Sequence, residues 1–130
     1  MKRPRIIVVE SDGRLAAQLQ SLADERNWSL RECKRAERSI RWLERGGKTV
    51  VVFRLGETPT AELGLLARIK DLPGVRTIAV GSAENVDVIS ALAWDLGADF
   101  ALFPPMSMEL LPKMVAGLMD SPAKTQIAKQ

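Results

Sequence analysis

The sequence predicts an α/β fold, a five-stranded parallel sheet with helices on both faces. Short apolar runs rich in β-branched residues alternate five times with segments of helical periodicity, the alternation that produces parallel sheets with crossover helices. The runs are continuously apolar rather than alternating, as expected of strands buried on both faces. With 130 residues the chain holds one such domain, since a second would have too few residues left for a core.

The first run, Ile6-Ile7-Val8-Val9, is broken by Ser11-Asp12-Gly13, which can cap a helix. Leu15, Leu19, Leu22 and Ala23 then recur at helical spacing as far as about Glu25. Residues 28–33 alternate and predict a more exposed strand. Ile40 and Leu43 anchor a short helix ended by Gly46-Gly47. Thr49-Val50-Val51-Val52-Phe53 is the strongest strand of the chain. Leu63, Leu66 and Ile69 form the next helical stripe, and Pro73-Gly74 is the stop signal after it. Thr77-Ile78-Ala79-Val80 is the fourth strand, and a helix spans about Val86 to Leu96 before Gly97. Phe100-Ala101-Leu102-Phe103 is the fifth strand, closed by Pro104-Pro105. Ser107 can cap a last helix reaching Met119, with Pro112 making its first turn irregular. This divides the chain into a domain over 1–119 and a tail or linker stump over 120–130.

Two absences bound the chemistry. There is no histidine, which excludes His-dependent acid/base catalysis, Ser-His-Asp and Cys-His nucleophiles and His metal sites. The single cysteine, Cys33, excludes an intramolecular disulfide, a Cys-x-x-Cys pair and a thiolate zinc site, and reads as a packing residue. Residues 1–45 carry 11 Lys/Arg against 7 Asp/Glu, a net of +4, and residues 46–130 carry 8 against 9, a net of −1. The total of +3 gives no strong pull toward nucleic acid or membrane. The first apolar run is too short for a signal peptide or a membrane span, and a cytoplasmic location is expected.

In an open parallel sheet the working site lies at the carboxyl ends of the strands. The residues there are Glu10-Ser11-Asp12, Arg54, Gly81-Ser82 and Pro104-Pro105. At this point the sequence resembles the receiver domains of bacterial response regulators, from about Ile6 to Met119. Several features in order carry the resemblance. They are Ile7-Val8-Val9 before an acidic turn, the spacing from Arg54 to residues 65–70, Gly97-Ala98-Asp99 before the fifth strand, and Pro105. The resemblance implies a flavodoxin-like (βα)5 three-layer sandwich with strand order 2-1-3-4-5.

It also implies a site that this sequence lacks. Receivers hold Mg²⁺ with two adjacent acids after the first strand, where this chain has Glu10 and Ser11, with Asp12 next. They accept phosphate on an aspartate ending the third strand, where this chain has Arg54. The Thr or Ser after their fourth strand falls at Gly81, with Ser82 one step on. Their lysine after the fifth strand falls at Pro104, and their aromatic switch residue at Ala101. A guanidinium at the centre of the site repels a metal and cannot be deprotonated. We therefore expect no metal or cofactor, and expect Arg54 to form an ion pair with Glu10 or Asp12, a kind of pair that is often bidentate. The alternative is a solvated strand-end arginine.

Other features point to partners. Val86, Val88, Ile89, Leu92, Trp94 and Leu96, with Leu110, Leu111, Met114, Val115 and Leu118, make the last two helices apolar over more than one stripe. The resemblance places them on the helix 4–strand 5–helix 5 face, the family's output and dimerisation surface. A homodimer contact through Ile89, Leu92, Leu110, Met114 and Leu118 is expected. Trp28 and Trp94 read as core and Trp42 as partly exposed. Arg31, Lys34, Arg35, Arg38, Arg41 and Arg45 make a basic segment, but Glu32, Glu37 and Glu44 interleave it and no nucleic-acid motif accompanies it. The reading is a non-enzymatic, phosphorylation-independent signalling domain acting through protein contacts. The alternatives are a flavodoxin-like nucleotide- or flavin-binding domain, against which stands the lack of a phosphate loop, and nucleic-acid binding by the basic amino-terminal half.

Overall fold

The computed structural model describes residues 3–44, 46–56, 60–82 and 86–121. The elements are β1 (Arg5–Val9), α1 (Arg14–Arg26), β2 (Ser29–Cys33), α2 (Ala36–Glu44), β3 (Thr49–Leu55), α3 (Thr60–Ile69), β4 (Val75–Gly81), α4 (Val86–Asp95), β5 (Phe100–Leu102) and α5 (Leu111–Asp120), the last preceded by a 3-10 turn (Met108–Leu110). All strand pairs are parallel, in the order β2-β1-β3-β4-β5. The tail expected over 120–130 lies outside the described residues from 122 on, as do Lys2, Arg45 and parts of the two loops at 57–59 and 83–85. Among the described residues no helix is long and apolar enough to cross a membrane.

Strand alternation divides the core in two. Ile7, Val9, Val51, Phe53, Leu55 and Ala79 face α2, α3 and α4. Ile6, Val8, Val50, Val52, Ile78 and Val80 face α1 and α5. The central strands β1, β3 and β4 are buried on both faces, which explains their unbroken apolar runs. β3 and β4 run further than their apolar stretches, so Arg54 and Gly81 are the ends of strands rather than loop residues. Parallel pairing continues through Arg54–Val80 and Leu55–Gly81, which supplies the ladder bonds that extend them. β5 stops one residue early, at Leu102.

Pro112 sits in the first turn of α5, where its missing N–H costs nothing, and the segment before it tightens into the 3-10 turn. The Ser107 hydroxyl caps that turn, accepting from the Glu109 amide at 3.2 Å. Trp94 corrects the expectation of a core residue. It is 49% exposed, because α4 turns only Ile89 and Ala93 fully inward. Trp28 is half-buried against the α1/α5 core, with the Arg26 guanidinium 5.4 Å from its ring centre.

Arg5 ties the amino-terminal edge of the sheet together. Its guanidinium donates to the carbonyls of Trp42 and Gly46, at the end of α2, and to the Thr49 hydroxyl at the start of β3. A cation on the last carbonyls of a helix also complements the helix dipole. A lysine cannot reproduce this fork. Arg5→Lys is expected to lower unfolding stability by about 1–2 kcal/mol in urea titration; an unchanged midpoint would show that the fork contributes nothing.

Candidate functional site

The carboxyl ends of β1 and β3 meet because Val9 pairs with Phe53, placing the following residues, Glu10 and Arg54, side by side. Glu10 is polar in an apolar setting, with its side chain fully buried. Its burial is accounted for by α1. Oε1 accepts from the Leu15 amide at 2.9 Å and Oε2 from the Ala16 amide at 2.8 Å. These are donors that the first turn of a helix leaves without partners, and a carboxylate there is also favoured by the helix dipole. Gly13, in the left-handed region at φ 75°, starts the helix without a capping side chain of its own. The cap is supplied by Glu10 from the strand and by Asp12, which accepts from the Arg14 amide at 3.2 Å.

Arg54 pairs with Glu10, not through the bidentate fork common in such pairs but through a single approach, Nε to Oε1 at 3.9 Å. That distance is an ion pair and not a hydrogen bond. Nε is buried and has no hydrogen-bond partner among the described residues, while the side chain as a whole is 33% exposed. Both Glu10 oxygens are already aimed at α1, which is why no fork forms. Asp12 is surface-exposed and 3.7 Å from Arg14. Its carboxyl is held below its ordinary pKa first by the Arg14 backbone amide, with the nearby charge of Arg54 adding to this.

A cavity of about 210 Å³ opens here, lined by Val9, Glu10, Ser11, Lys34, Arg54, Gly56 and Glu62. Lys34, after β2, and Glu62, on α3, were not read from the sequence as part of this site. Nothing local marks them, since only the fold brings their elements together. Gly81, Ser82 and Pro104 do not line this cavity. Ser82 and Pro104 are exposed, and the Pro104–Pro105 bond is cis. Gly81 lies under the buried Phe103 ring, and a Cβ there would fall 2.0 Å from Phe103 Cε2. Phe103 thus fills the space that a side chain at the end of β4 would need, and the glycine at position 81 was its sequence signal.

The receiver resemblance implies Mg²⁺ at this place, and the residues present do not fit one. Mg²⁺ takes carboxylates and waters in strict octahedral geometry. Here the one buried carboxylate caps a helix, a guanidinium stands where the second acid would, and among the described residues no group of three or more Asp, Glu, Cys or His is placed to hold a metal. Of the residues expected at an interaction face, Ile89 and Leu118 are instead buried in the two cores and Met114 is half-buried. Leu92 and Leu110 are exposed, as are Val88 and Phe100. Cys33 is buried, which pushes its thiol pKa up, and its Sγ–H points to the Arg35 carbonyl.

No family model matches the chain, and no curated protein matches it in sequence. Solved structures do match in shape. A response-regulator receiver domain from Francisella superposes with a TM-score of 0.69 at 15% identity, covering 90% of this chain and 97% of that one. A two-component response regulator from Clostridium difficile gives 0.71 at 17%, covering 92% and 100%. A response regulator from Thermotoga maritima gives 0.67 at 18%, covering 92% and 99%. The strand order, the placement of Glu10 and Arg54 at neighbouring strand ends, and these superpositions agree: over nearly its whole length this chain has the fold of response-regulator receiver domains.

Proposed function

We propose that this chain is a receiver-type signalling domain that operates without phosphoryl transfer, through contacts with proteins. One observation carries the reading, which is Arg54 at the end of β3 with its guanidinium against Glu10. An acyl phosphate forms when a carboxylate oxygen attacks phosphorus, and a permanently protonated guanidinium offers no such lone pair. The supporting positions agree. Gly81 has no hydroxyl to follow a phosphoryl group, and Pro104 has no amine to pair with one. On this reading the chain is not an enzyme.

The test is incubation with Mg²⁺ and acetyl phosphate, followed by intact-mass measurement. No gain in mass is expected, and a stoichiometric phosphoryl adduct would refute the proposal.

Val88 and Leu92, one helical turn apart on α4, and Phe100 on the edge strand β5 are exposed apolar side chains, and we propose that two copies associate through them. Leu92→Glu is expected to convert a dimer into a monomer in light scattering, with an unchanged circular dichroism spectrum. A wild-type monomer at high concentration would remove this part of the proposal. Leu118 cannot serve the same test, because a charge there would enter the core.

A further inference from the structure

At the opposite edge of the sheet from β5, the chain presents Arg31 on β2, Lys34 and Arg35 in the connection, and Arg38 and Arg41 on α2. All five are exposed, and none makes an ion pair or a side-chain hydrogen bond among the described residues. Glu32, Glu37 and Glu44 stand on the same elements and pair with none of them. Interleaved charges on a solvated face commonly pair with one another, and here, among the described residues, the positive ones stand outside ion-pair distance of the glutamates. They surround Trp42, which is half-buried, with the Arg31 guanidinium 5.0 Å from its ring centre.

Two adjoining clefts lie on this surface. One, of about 460 Å³, is lined by Glu37, Arg38, Arg41 and Trp42. The other, of about 380 Å³, is lined by residues 32–35 with Arg38 and Trp42. Arg38 and Trp42 are common to both, so the clefts form one track beside α2. Its two halves each offer cationic groups, with an indole between them.

We propose that this β2–α2 edge binds an acidic, extended segment of a partner protein. Charge complementarity identifies the occupant. Arginine forks match carboxylates, and a run of them without internal partners is ready for anions from outside. The length agrees. The nine residues of α2 span roughly 14 Å at 1.5 Å per residue, a distance that about four residues of extended peptide cover. A segment with carboxylates on alternate residues reaches both clefts.

A nucleic-acid strand fits less well. Its phosphates form a continuous negative chain that would meet Glu32 and Glu37 in the clefts, whereas a peptide carries charge only where it is useful. Stacking of a base requires an open aromatic face, and Arg31 covers the ring of Trp42.

The experiment uses the full chain and a short labelled peptide of alternating Asp and Val, read by fluorescence anisotropy. Its Asn-for-Asp counterpart and a dT oligonucleotide of equal charge serve as comparison probes. The acidic peptide is expected to bind saturably and the neutral one not to bind. The double variant Arg38→Glu, Arg41→Glu is expected to weaken binding by about tenfold or more, with an unchanged melting temperature, since both side chains are solvent-exposed. The double variant Arg68→Glu, Lys113→Glu changes net charge equally on exposed positions of α3 and α5 and is expected to leave binding within about twofold. Absence of binding, or an equal loss in the second variant, would overturn the proposal. So would tighter binding of the oligonucleotide with the same dependence on Arg38 and Arg41, which would make this a nucleic-acid surface.

Discussion

Gly81→Thr is expected to destabilise the fold by about 1–3 kcal/mol, although it restores the residue type that the receiver resemblance implies at this position. Gly81 does not have a positive φ, so the cost is steric rather than a matter of backbone strain. The added Cβ would lie 2.0, 2.5 and 2.8 Å from Cε2, Cδ2 and Cζ of Phe103. The ring cannot swing away cheaply, because Phe103 is 5% exposed and packed among residues of the α2/α3/α4 core. Reduced freedom of the unfolded chain offsets about 0.4–1 kcal/mol of this and does not reverse the sign. Phe103→Ala alone is expected to cost about 3–5 kcal/mol, as for other buried phenylalanines. The double variant should cost less than the sum, because each change relieves the defect of the other. A coupling of about 0.5–3 kcal/mol in a double-mutant cycle is the expected signature. Strict additivity in denaturant unfolding would show that Phe103 does not hold Gly81 to a glycine.

This pair shows which parts of the molecule the sequence discloses. The sheet was legible because burial on both faces imposes unbroken apolar runs, and the runs at Ile6–Val9, Val50–Phe53 and Ile78–Val80 carry the three central strands. The juxtaposition of Glu10 and Arg54 was legible once the strand order was known, because strand ends align. Their geometry was not. Nothing in the order of residues tells that both Glu10 oxygens turn back to the amides of Leu15 and Ala16, leaving the guanidinium a single long approach. The last two helices are apolar over more than one stripe, yet the stripe cannot say which residues face the sheet. Ile89 and Leu118 turned inward, while Trp94, the largest side chain of α4, turned out. The cations of the β2–α2 edge are visible as a run, and the interleaved glutamates point to a solvated face. Only the absence of ion pairs between them among the described residues, a matter of side-chain geometry, separates a solvated face from an open one.

At the carboxyl ends of β1 and β3 the two partners are expected to contribute very unequally. Glu10→Ala removes the acceptor of two helix-terminal amides at 2.8 and 2.9 Å, and should cost about 2–4 kcal/mol. Arg54→Met, of similar length, should change stability by less than about 1 kcal/mol, because a 3.9 Å ion pair with an unbonded, desolvated Nε gains little over its desolvation. Equal losses in urea unfolding would show that the ion pair, and not the helix cap, is what keeps Glu10 in place. A third variant then asks what the guanidinium prevents. Arg54→Asp would set a second carboxylate beside Glu10, with Asp12 close by, and the repulsion should lower stability by about 1–3 kcal/mol at neutral pH. The new carboxylate and that of Asp12, with solvent, are a ligand set that Mg²⁺ accepts, while Glu10 stays on the amides of α1. Adding Mg²⁺ at about ten times its dissociation constant should therefore return about 1.4 kcal/mol to this variant, a rise of about 3–6 °C in melting temperature. The wild-type chain should not respond, because its own cation already occupies that side of Glu10. An equal rise in the wild type would mean that Arg54 does not exclude the metal, and the chemical reason for placing this domain outside phosphoryl transfer would fall with it.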